Sequence, residues 1–157
     1  MTGTAEPPLE ASVHVRAAPE AVWNLVADIT RMGEWSPQCR GGRWLGRERG
    51  PMVGARFVGF NRQGWKWWPT TNLVVEAEPG RVFAFRTEQN RARWVFRLEP
   101  DGDGTVLVQR RELPTGRSAF SHSAIRLMMG GNERFDADMQ AGMQRTLERI
   151  KAVAEAS

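Results

Sequence analysis

Residues 92–99 read ARWVFRLE, and this stretch decides how the chain folds. It alternates two sets of residues: Arg93, Val95 and Arg97 against Trp94, Phe96 and Leu98. Because successive side chains of a strand point to opposite faces, the pattern predicts a strand with one solvated, arginine-bearing face and one strongly apolar face. Large aromatic residues recur with the same inward parity on neighbouring predicted strands: Trp44, Phe57, Trp68, Phe83 and Phe85. Together they predict a curved sheet with an aromatic inner face.

A long amphipathic helix is predicted at the end of the chain, over Ser118–Ser157 with a break at Gly130-Gly131. An apolar patch precedes the break, and a stripe at helical spacing follows it: Phe135, Met139, Met143, Leu147, Ile150 and Ala154. A sheet that curves around this helix would bury both apolar surfaces. The same arrangement can leave a pocket between them.

The part of the chain before Pro37 predicts one strand and two short helices. Residues Leu9–Arg16 alternate in polarity as a half-buried strand does. Pro19 suits the first position of a helix, and apolar residues follow it at helical spacing. A second short helix is predicted over Thr30–Trp35, and Pro37 ends it by fixing its own φ and restricting the residue before it.

After Pro37 the apolar period changes from about 3.6 to 2, and turn sequences separate six strands of an antiparallel meander. The predicted strands are Arg40–Arg47, Ala55–Gln63, Trp65–Ala77, Arg81–Glu88, Ala92–Glu99 and Thr105–Leu113. Pro69 argues for an edge, a bulge or an early strand position, because proline cannot donate to the ladder. The whole order predicts an α+β fold: a curved seven-stranded antiparallel sheet around a long C-terminal helix, with two short helices after strand 1.

Length and composition indicate a globular protein. The 157 residues fit one domain, predicted over residues 9–157 after a flexible tail at residues 1–8. Hydrophobic residues make up 41% and charged residues 25%, and no apolar run approaches the roughly 20 residues that span a bilayer. The start of the chain lacks the features of a signal peptide, and Cys39 is the single cysteine. We therefore expect a cytoplasmic protein with neither a membrane span nor an internal disulfide.

The net charge of +4 comes almost wholly from arginine. Six arginines are interspersed with Trp44 and Phe57 in the middle of the chain: Arg40, Arg43, Arg47, Arg49, Arg56 and Arg62. Such interleaving is typical of a platform for single-stranded nucleic acid. A solvated outer sheet face balanced by glutamates elsewhere is the commoner explanation, so nucleic acid is not the expected partner.

Four polar residues have inward parity: Asn61, Asn72, Gln109 and Arg111. A buried polar side chain needs a partner, and in a cavity that partner can be a ligand or water. An inward arginine could hold a phenolate, carboxylate or enolate oxygen. The competing explanation for Arg111 is a salt bridge with one of three acidic residues: Glu76, Glu112 or Glu133.

The sequence assigns no catalytic residue, metal site or cofactor. His14 and His122 are the only histidines; His14 faces away from its apolar strand neighbours, and His122 lies in a serine-rich run. Neither has an acidic partner at the spacing of a metal site. The chain also lacks a phosphate loop, a dinucleotide-binding glycine motif and a nucleophile elbow.

The order of motifs resembles that of the START, polyketide cyclase and Bet v 1-like superfamily, known as SRPBCC proteins. The resemblance begins with Val13-x-Val15, Ala18-Pro19-Glu20-x-Val22-Trp23, Asp28 and Trp35-x-Pro37. It continues through Gly54-x-x-Phe57, Asn61, Trp68, Glu78-Pro79-Gly80, Phe83-x-Phe85 and Gly104-Thr105 to the long helix. It covers roughly residues 9–155, and the chain looks most like small bacterial proteins described as polyketide cyclases or dehydrases.

This resemblance implies a helix-grip fold with an apolar cavity between helix and sheet. Members bind lipids, sterols, polyketides, quinones or other hydrophobic molecules, and some of them are enzymes. The family has no universal catalytic signature to carry over, so the resemblance supports a cavity better than it supports a reaction.

The leading hypothesis is therefore a protein that binds a small hydrophobic, ring-containing molecule, with cyclisation or dehydration of a polyketide-like substrate as the reaction if it is an enzyme. The predicted ligand-binding residues are Trp44, Phe57, Asn61, Trp68, Asn72, Phe85, Trp94, Phe96, Gln109, Arg111, Met128, Phe135, Met139 and Met143. The alternative is an interaction module whose arginine-rich strands bind nucleic acid or an acidic protein. The sequence leaves the oligomeric state open.

Overall fold

A computed structural model describes residues 6–114 and 132–156, and side chains over residues 8–114 and 136–156. The strands in this part are β1 (Glu6–Val15), β2 (Cys39–Leu45), β3 (Arg56–Gln63), β4 (Lys66–Glu78), β5 (Val82–Thr87), β6 (Arg93–Asp101) and β7 (Gly104–Leu113). The helices are α1 (Pro19–Val26), a 3₁₀ helix (Ile29–Glu34) and the C-terminal α2 (Asn132–Glu155). The predicted helical residues before Asn132 lie outside the described part.

The strands form one antiparallel sheet in the order β1-β7-β6-β5-β4-β3-β2. Strands β2 to β7 are a meander, and β1 joins it beside β7, so the first and last strands of the sequence are neighbours. The α+β class, the seven antiparallel strands and the C-terminal helix are confirmed.

Prolines occur in the described strands β1 and β4. β1 begins at Glu6, before the predicted Leu9, and its register with β7 shifts between Glu6 and Leu9, where Pro7 and Pro8 lack a donor. Pro69 lies in an interior strand, opposite Phe60. It precedes the first β4 residue that pairs with β5, so its missing N–H removes no bond to that strand. Pro69 thus lies in the early part of β4, at a position without a β5 neighbour.

A side-chain cap marks the start of the 3₁₀ helix, two residues after the end of α1. Helix α1 has Pro19 at its start and buries Val22, Trp23 and Val26. Asp28 then caps the 3₁₀ helix, because its carboxylate accepts hydrogen bonds from the backbone N–H of Thr30 at 3.2 Å and from its hydroxyl.

Helix α2 runs alongside β1, with its later residues opposite the later residues of the strand. Lys151 Nζ donates to the His14 carbonyl at 2.9 Å, and the Arg16 N–H donates to Glu155 Oε2 at 2.8 Å. The inner face of the sheet and the inner face of α2 share one core that includes Leu147. The half of α2 nearer Glu155 is therefore solidly packed.

The outer face of β6 is less exposed than predicted. Val95 has an exposed fraction of 1% and forms a small apolar cluster with Val82, Ala84 and Val75. Val75 joins this cluster because the β4–β5 register shifts between Val74 and Glu76. Arg97 on this face is exposed, as the alternation predicts, whereas the β-bulge of β4 adds an apolar residue that covers Val95.

Candidate functional site

A continuous series of aromatic rings crosses the inner face of the sheet. Edge-to-face contacts join Trp44 to Phe57 at 5.6 Å and Phe57 to Phe85 at 5.0 Å between ring centroids. Phe85 contacts Phe83 at 6.1 Å, and Phe83 contacts Trp23 at 6.4 Å. Trp23 is buried and its Nε1 donates to the Val82 carbonyl at 2.8 Å, whereas Trp44 is only partly buried. The series therefore runs from a closed end to a more open one.

The polar residues predicted to face inward all lie on this face, as their strand pairing shows. Gln109 lies between Ala11 and Phe96, and Arg111 lies between Leu9 and Trp94. Both side chains have an exposed fraction of only 7%. Two inward positions in succession on β7 are about 6–7 Å apart along the strand. A neutral amide and a cation are thus buried side by side.

Gln109 Oε1 is a buried acceptor with no hydrogen-bond partner among the described residues. An amide oxygen removed from water in this way costs about 1–3 kcal/mol unless something donates to it. Buried polar groups without a partner are rare in folded proteins, and each one points to a ligand, a water molecule or a functional role. This atom is the strongest sign of a binding function on the inner face.

The Arg111 side chain makes a cation–π contact with Trp94. Its guanidinium carbon is 5.7 Å from the centroid of the Trp94 ring. Two of the acidic partners considered for it, Glu76 and Glu112, instead bind Arg93 on the outer face of the sheet. The third, Glu133, lies where no side chain is described.

The two inward asparagines bind their neighbours. Asn72 Oδ1 accepts from the Thr87 hydroxyl at 2.8 Å, and its Nδ2 donates to the Thr70 carbonyl at 3.2 Å. Asn61 Nδ2 donates to the Trp68 carbonyl and the Thr70 hydroxyl, both at 3.2 Å. Both amides have partners within the sheet, so they stabilise β3, β4 and β5 and are weaker candidates for holding a ligand.

Some of the remaining predicted site residues lie near Gln109 and Arg111 on the inner face, and others lie away from them. Phe57, Phe85, Phe96 and Met143 are buried, and Trp44, Trp94 and Met139 are partly buried against the same core. Trp68 pairs with Asn61 near the β3–β4 turn, beyond the aromatic series. Met128 lies outside the described residues, and so does the side chain of Phe135. The candidate site is thus the inner face between Trp44 and Arg111, facing the half of α2 nearer Asn132.

Thr87 is a polar residue of this face that sequence reasoning missed. It is buried and holds Asn72 in place. The alternation Phe83, Phe85, Thr87 could have revealed it, because the third residue of the series shares the inward parity of the two phenylalanines.

A concavity lies on the outer face of the sheet, opposite the aromatic inner face. It has a volume of about 590 Å³ and is lined by Val75, Arg86, Glu88, Arg91, Arg93 and Pro114. None of these residues was a predicted site residue. The charges that line it make it a different environment from the aromatic inner face.

Reactive side chains are not prominent in the described part of the chain. Cys39 is buried, its Sγ–H donates to the Gly41 carbonyl at 3.2 Å, and burial raises the pKa of the thiol. His14 is exposed beside Asp101, away from the inner face, as its parity predicts, and His122 lies outside the described residues. Among the described residues, no three His, Cys, Asp or Glu side chains converge as metal ligands would. The described helices include none that is long and apolar enough to cross a membrane.

Comparison with known families gives a match over almost the whole chain. A model of the family described as polyketide cyclase / dehydrase and lipid transport matches residues 7–155. The chain belongs to this family. A search of curated proteins found no match.

Solved structures agree with membership of the polyketide cyclase family. A polyketide cyclase-like protein from Corynebacterium glutamicum is 30% identical, with 95% of this chain and 91% of that chain covered and a TM-score of 0.63. An aromatase/cyclase from Streptomyces sp. R1128 is 18% identical, with 95% and 93% covered and a TM-score of 0.72. The di-domain ARO/CYC protein of the steffimycin biosynthetic pathway is 19% identical, with 95% and 50% covered and a TM-score of 0.70. The last two likenesses show the fold alone.

Proposed function

We propose that this chain binds a small, flat, hydrophobic molecule that carries hydroxyl and carbonyl or carboxylate oxygens, between the inner face of the sheet and α2. The observation that carries the proposal is the buried Gln109 Oε1 without a hydrogen-bond partner among the described residues. A ligand hydroxyl or phenol could donate to this oxygen and remove the cost of its burial.

Arg111 would provide the second polar contact with the ligand. A buried guanidinium attracts a phenolate, carboxylate or enolate oxygen strongly, because little water is present to screen the charge. The Trp94 ring lies beside that guanidinium and adds aromatic area to the same part of the site. A flat molecule with oxygens on its edge could contact both the polar groups and the aromatic side chains. Aromatic polyketides are molecules of this kind.

The aromatic series favours rings over flexible alkyl chains. Phe57 and Phe85 contact each other and Trp44 at the distances that aromatic groups prefer. Trp44 is only partly buried, so a ring of the ligand could extend this series there. Apolar walls with a few placed polar groups are typical of small-molecule sites.

A cyclisation or dehydration of a polyketide-like substrate is the reaction that this site would serve best, and it rests on the family description as well as on the site. Arg111 and the Gln109 amide would polarise carbonyl oxygens, and Arg111 would stabilise an enolate as it forms. The walls would hold a flexible chain in a folded geometry, which brings its reacting carbons together. Asn61, a predicted contributor, has its amide donors directed at the sheet and is left out.

A thermal-shift and calorimetry screen with flat hydroxylated aromatic acids and phenols tests the binding function, because a bound ligand raises the melting temperature. Arg111→Met should lower the affinity of the best ligand by about 10-fold to 100-fold, and Gln109→Leu by about 3-fold to 10-fold. Arg110→Met is the matched control, because Arg110 is the next residue of β7 and its side chain interacts with Glu112 on the outer face.

Circular dichroism melting must show that each variant is folded, and Arg111→Lys separates loss of charge from loss of the planar guanidinium. Folded Arg111→Met and Gln109→Leu variants that bind with unchanged affinity would contradict the proposal. So would a screen with no ligand, combined with purified protein from which organic extraction releases no hydrophobic molecule.

A further inference from the structure

The hairpin formed by β3 and β4 exposes an unusual amount of aromatic surface. We call residues 60–67 the Trp hairpin. Trp65, in the turn, is 84% exposed, Trp67 is 60% exposed and Phe60 is 45% exposed. Large aromatic side chains normally bury most of their area, so three exposed ones close together are a sign of an interaction surface.

Each exposed tryptophan of the Trp hairpin lies beside a cation. The Arg62 guanidinium carbon is 5.1 Å from the Trp67 ring centroid, and Lys66 Nζ is 5.7 Å from that of Trp65. Phe60 and Trp67 are also on the same outer face of the sheet, since Phe60 pairs with Pro69 and Arg62 pairs with Trp67. The hairpin therefore combines aromatic rings with positive charge at one end of the sheet.

The positive charge of the whole protein is concentrated in the segment of the chain that contains the hairpin. Residues 36–75 contain one acidic residue, Glu48, and seven basic ones: Arg40, Arg43, Arg47, Arg49, Arg56, Arg62 and Lys66. This segment has a net charge of +6, and because the whole chain has +4, the rest of it carries −2. The start of β2 lies beside the hairpin, where the Arg62 N–H donates to the Gln38 carbonyl at 2.8 Å. Arg40, Arg62 and Lys66 therefore lie at the hairpin end of the sheet, whereas Arg47 and Arg49 lie in the β2–β3 loop at the other end of β3. The cations at the hairpin end would attract an acidic surface.

We propose that the Trp hairpin docks the protein on the surface of an anionic lipid bilayer. Tryptophan prefers the boundary between headgroups and acyl chains, where its ring is buried and its N–H still meets polar groups. Arg62 and Lys66 would bind lipid phosphates at the same depth, and the remaining arginines would add long-range attraction. The proposal is independent of the ligand on the inner face, because no residue of that site contributes to it.

Two other occupants fit the same surface less well. A second copy of the chain would bring the Arg62 and Lys66 side chains of two hairpins together, and like charges oppose such a contact. Single-stranded nucleic acid needs open ring faces on which bases stack, but cations of the chain already lie over Trp65 and Trp67. At a bilayer the ring can lie at the boundary of the acyl chains while its neighbouring cation binds a lipid phosphate.

Co-sedimentation with two kinds of vesicle tests the proposal. One is pure phosphatidylcholine, and the other contains about one-third phosphatidylglycerol. We expect binding to the anionic vesicles, weaker binding at about 0.5 M salt, and a loss of roughly 10-fold or more in the double variant Trp65→Ser/Trp67→Ser. Arg62→Gln/Lys66→Gln should weaken binding by about 5-fold for each charge removed.

The matched control is Met52→Ser/Val53→Ser, which removes exposed apolar side chains from the β2–β3 loop at the other end of β3. It should bind vesicles as the unaltered protein does. Absence of binding to anionic vesicles, or equal binding by the tryptophan variant and the control, overturns the proposal. Binding to a single-stranded oligonucleotide but not to vesicles, or a lipid-independent dimer that the tryptophan variant abolishes, overturns it in favour of those partners.

Discussion

The Arg111 guanidinium lies over the Trp94 ring, 5.7 Å from its centroid, and the two residues are directly opposite each other on β7 and β6. This is a cross-strand cation–π pair on the inner face of the sheet. Such a pair is stronger away from water than at an exposed position, because less solvent competes for the cation. It fixes where positive charge is held within the candidate site.

Replacing Trp94 by leucine should lower the free energy of unfolding by about 1–3 kcal/mol, through lost aromatic area and the lost cation–π contact. The same substitution at Trp65, which is 84% exposed, is the matched control and should change stability by less than about 0.5 kcal/mol. Urea denaturation of the two variants measures both values. Equal effects at the two positions would show that Trp94 contributes no more than a surface residue.

The bond between Thr87 and Asn72 should be detectable as a coupling energy. Thr87→Val keeps the shape of the side chain but leaves Asn72 Oδ1 without the hydroxyl that donates to it at 2.8 Å. We expect a loss of about 1–3 kcal/mol, because the oxygen stays buried. The double variant Asn72→Leu/Thr87→Val should lose less than the two single changes combined, as a double-mutant cycle would measure. Strict additivity would mean that the two side chains do not interact.

The strands and their inward positions were predictable from the sequence because they rest on period-2 alternation, which one buried face imposes on every strand. Gln109 and Arg111 followed from the parity of their neighbours on β7. The hydrogen-bond partners of the inward polar side chains were not predictable in the same way. Asn61 and Asn72 share that parity, yet their amides bind groups of β3, β4 and β5, and only coordinates distinguish them from Gln109.

The arginine cluster shows a second limit of pattern reasoning. Trp44 and Phe57 are interspersed with those arginines in sequence, but both face inward, so they do not share a surface with them. The aromatic residues that do lie near the exposed cations are Phe60, Trp65 and Trp67. Their exposure could not be inferred, because alternation alone does not say which face of an outer hairpin remains uncovered.

Acid should weaken the junction between α2 and β1. Glu155 accepts the Arg16 N–H and binds Lys151, and these hydrogen bonds hold the pKa of its carboxyl below the ordinary value. A lowered pKa in the folded state means that the contribution of Glu155 is complete above the unfolded pKa and disappears as pH falls through the folded pKa.

The unaltered protein should therefore be more stable than Glu155→Gln at neutral pH, and the difference should shrink as the pH is lowered below about 4.5. Denaturation curves at a series of pH values measure it. Glu148→Gln, which removes the same charge from an exposed position of the same helix, controls for net charge. A difference that stayed constant down to the acid limit would rule out a role for the Glu155 carboxylate at this junction.

Two adjacent glycines of β2 should respond in opposite ways to alanine. A Cβ on Gly42 would lie 2.5 Å from the Ile29 carbonyl oxygen, so the strand and the 3₁₀ helix would have to separate. A Cβ on Gly41 would meet nothing within 4 Å. We expect Gly42→Ala to cost about 1–3 kcal/mol of stability, as overpacking does, and Gly41→Ala to be neutral or to stabilise by about 0.4–1 kcal/mol through the unfolded chain.

Thermal and urea unfolding of this pair tests the close contact between β2 and the 3₁₀ helix. The contact also matters for the candidate site, because Trp44 lies on the inner face of the same strand, two residues after Gly42. A shifted β2 would move that ring away from Phe57, so Gly42→Ala should also weaken binding of a flat ligand while Gly41→Ala leaves it unchanged. Equal stability of the two variants would mean that β2 and the 3₁₀ helix are not in contact at Gly42.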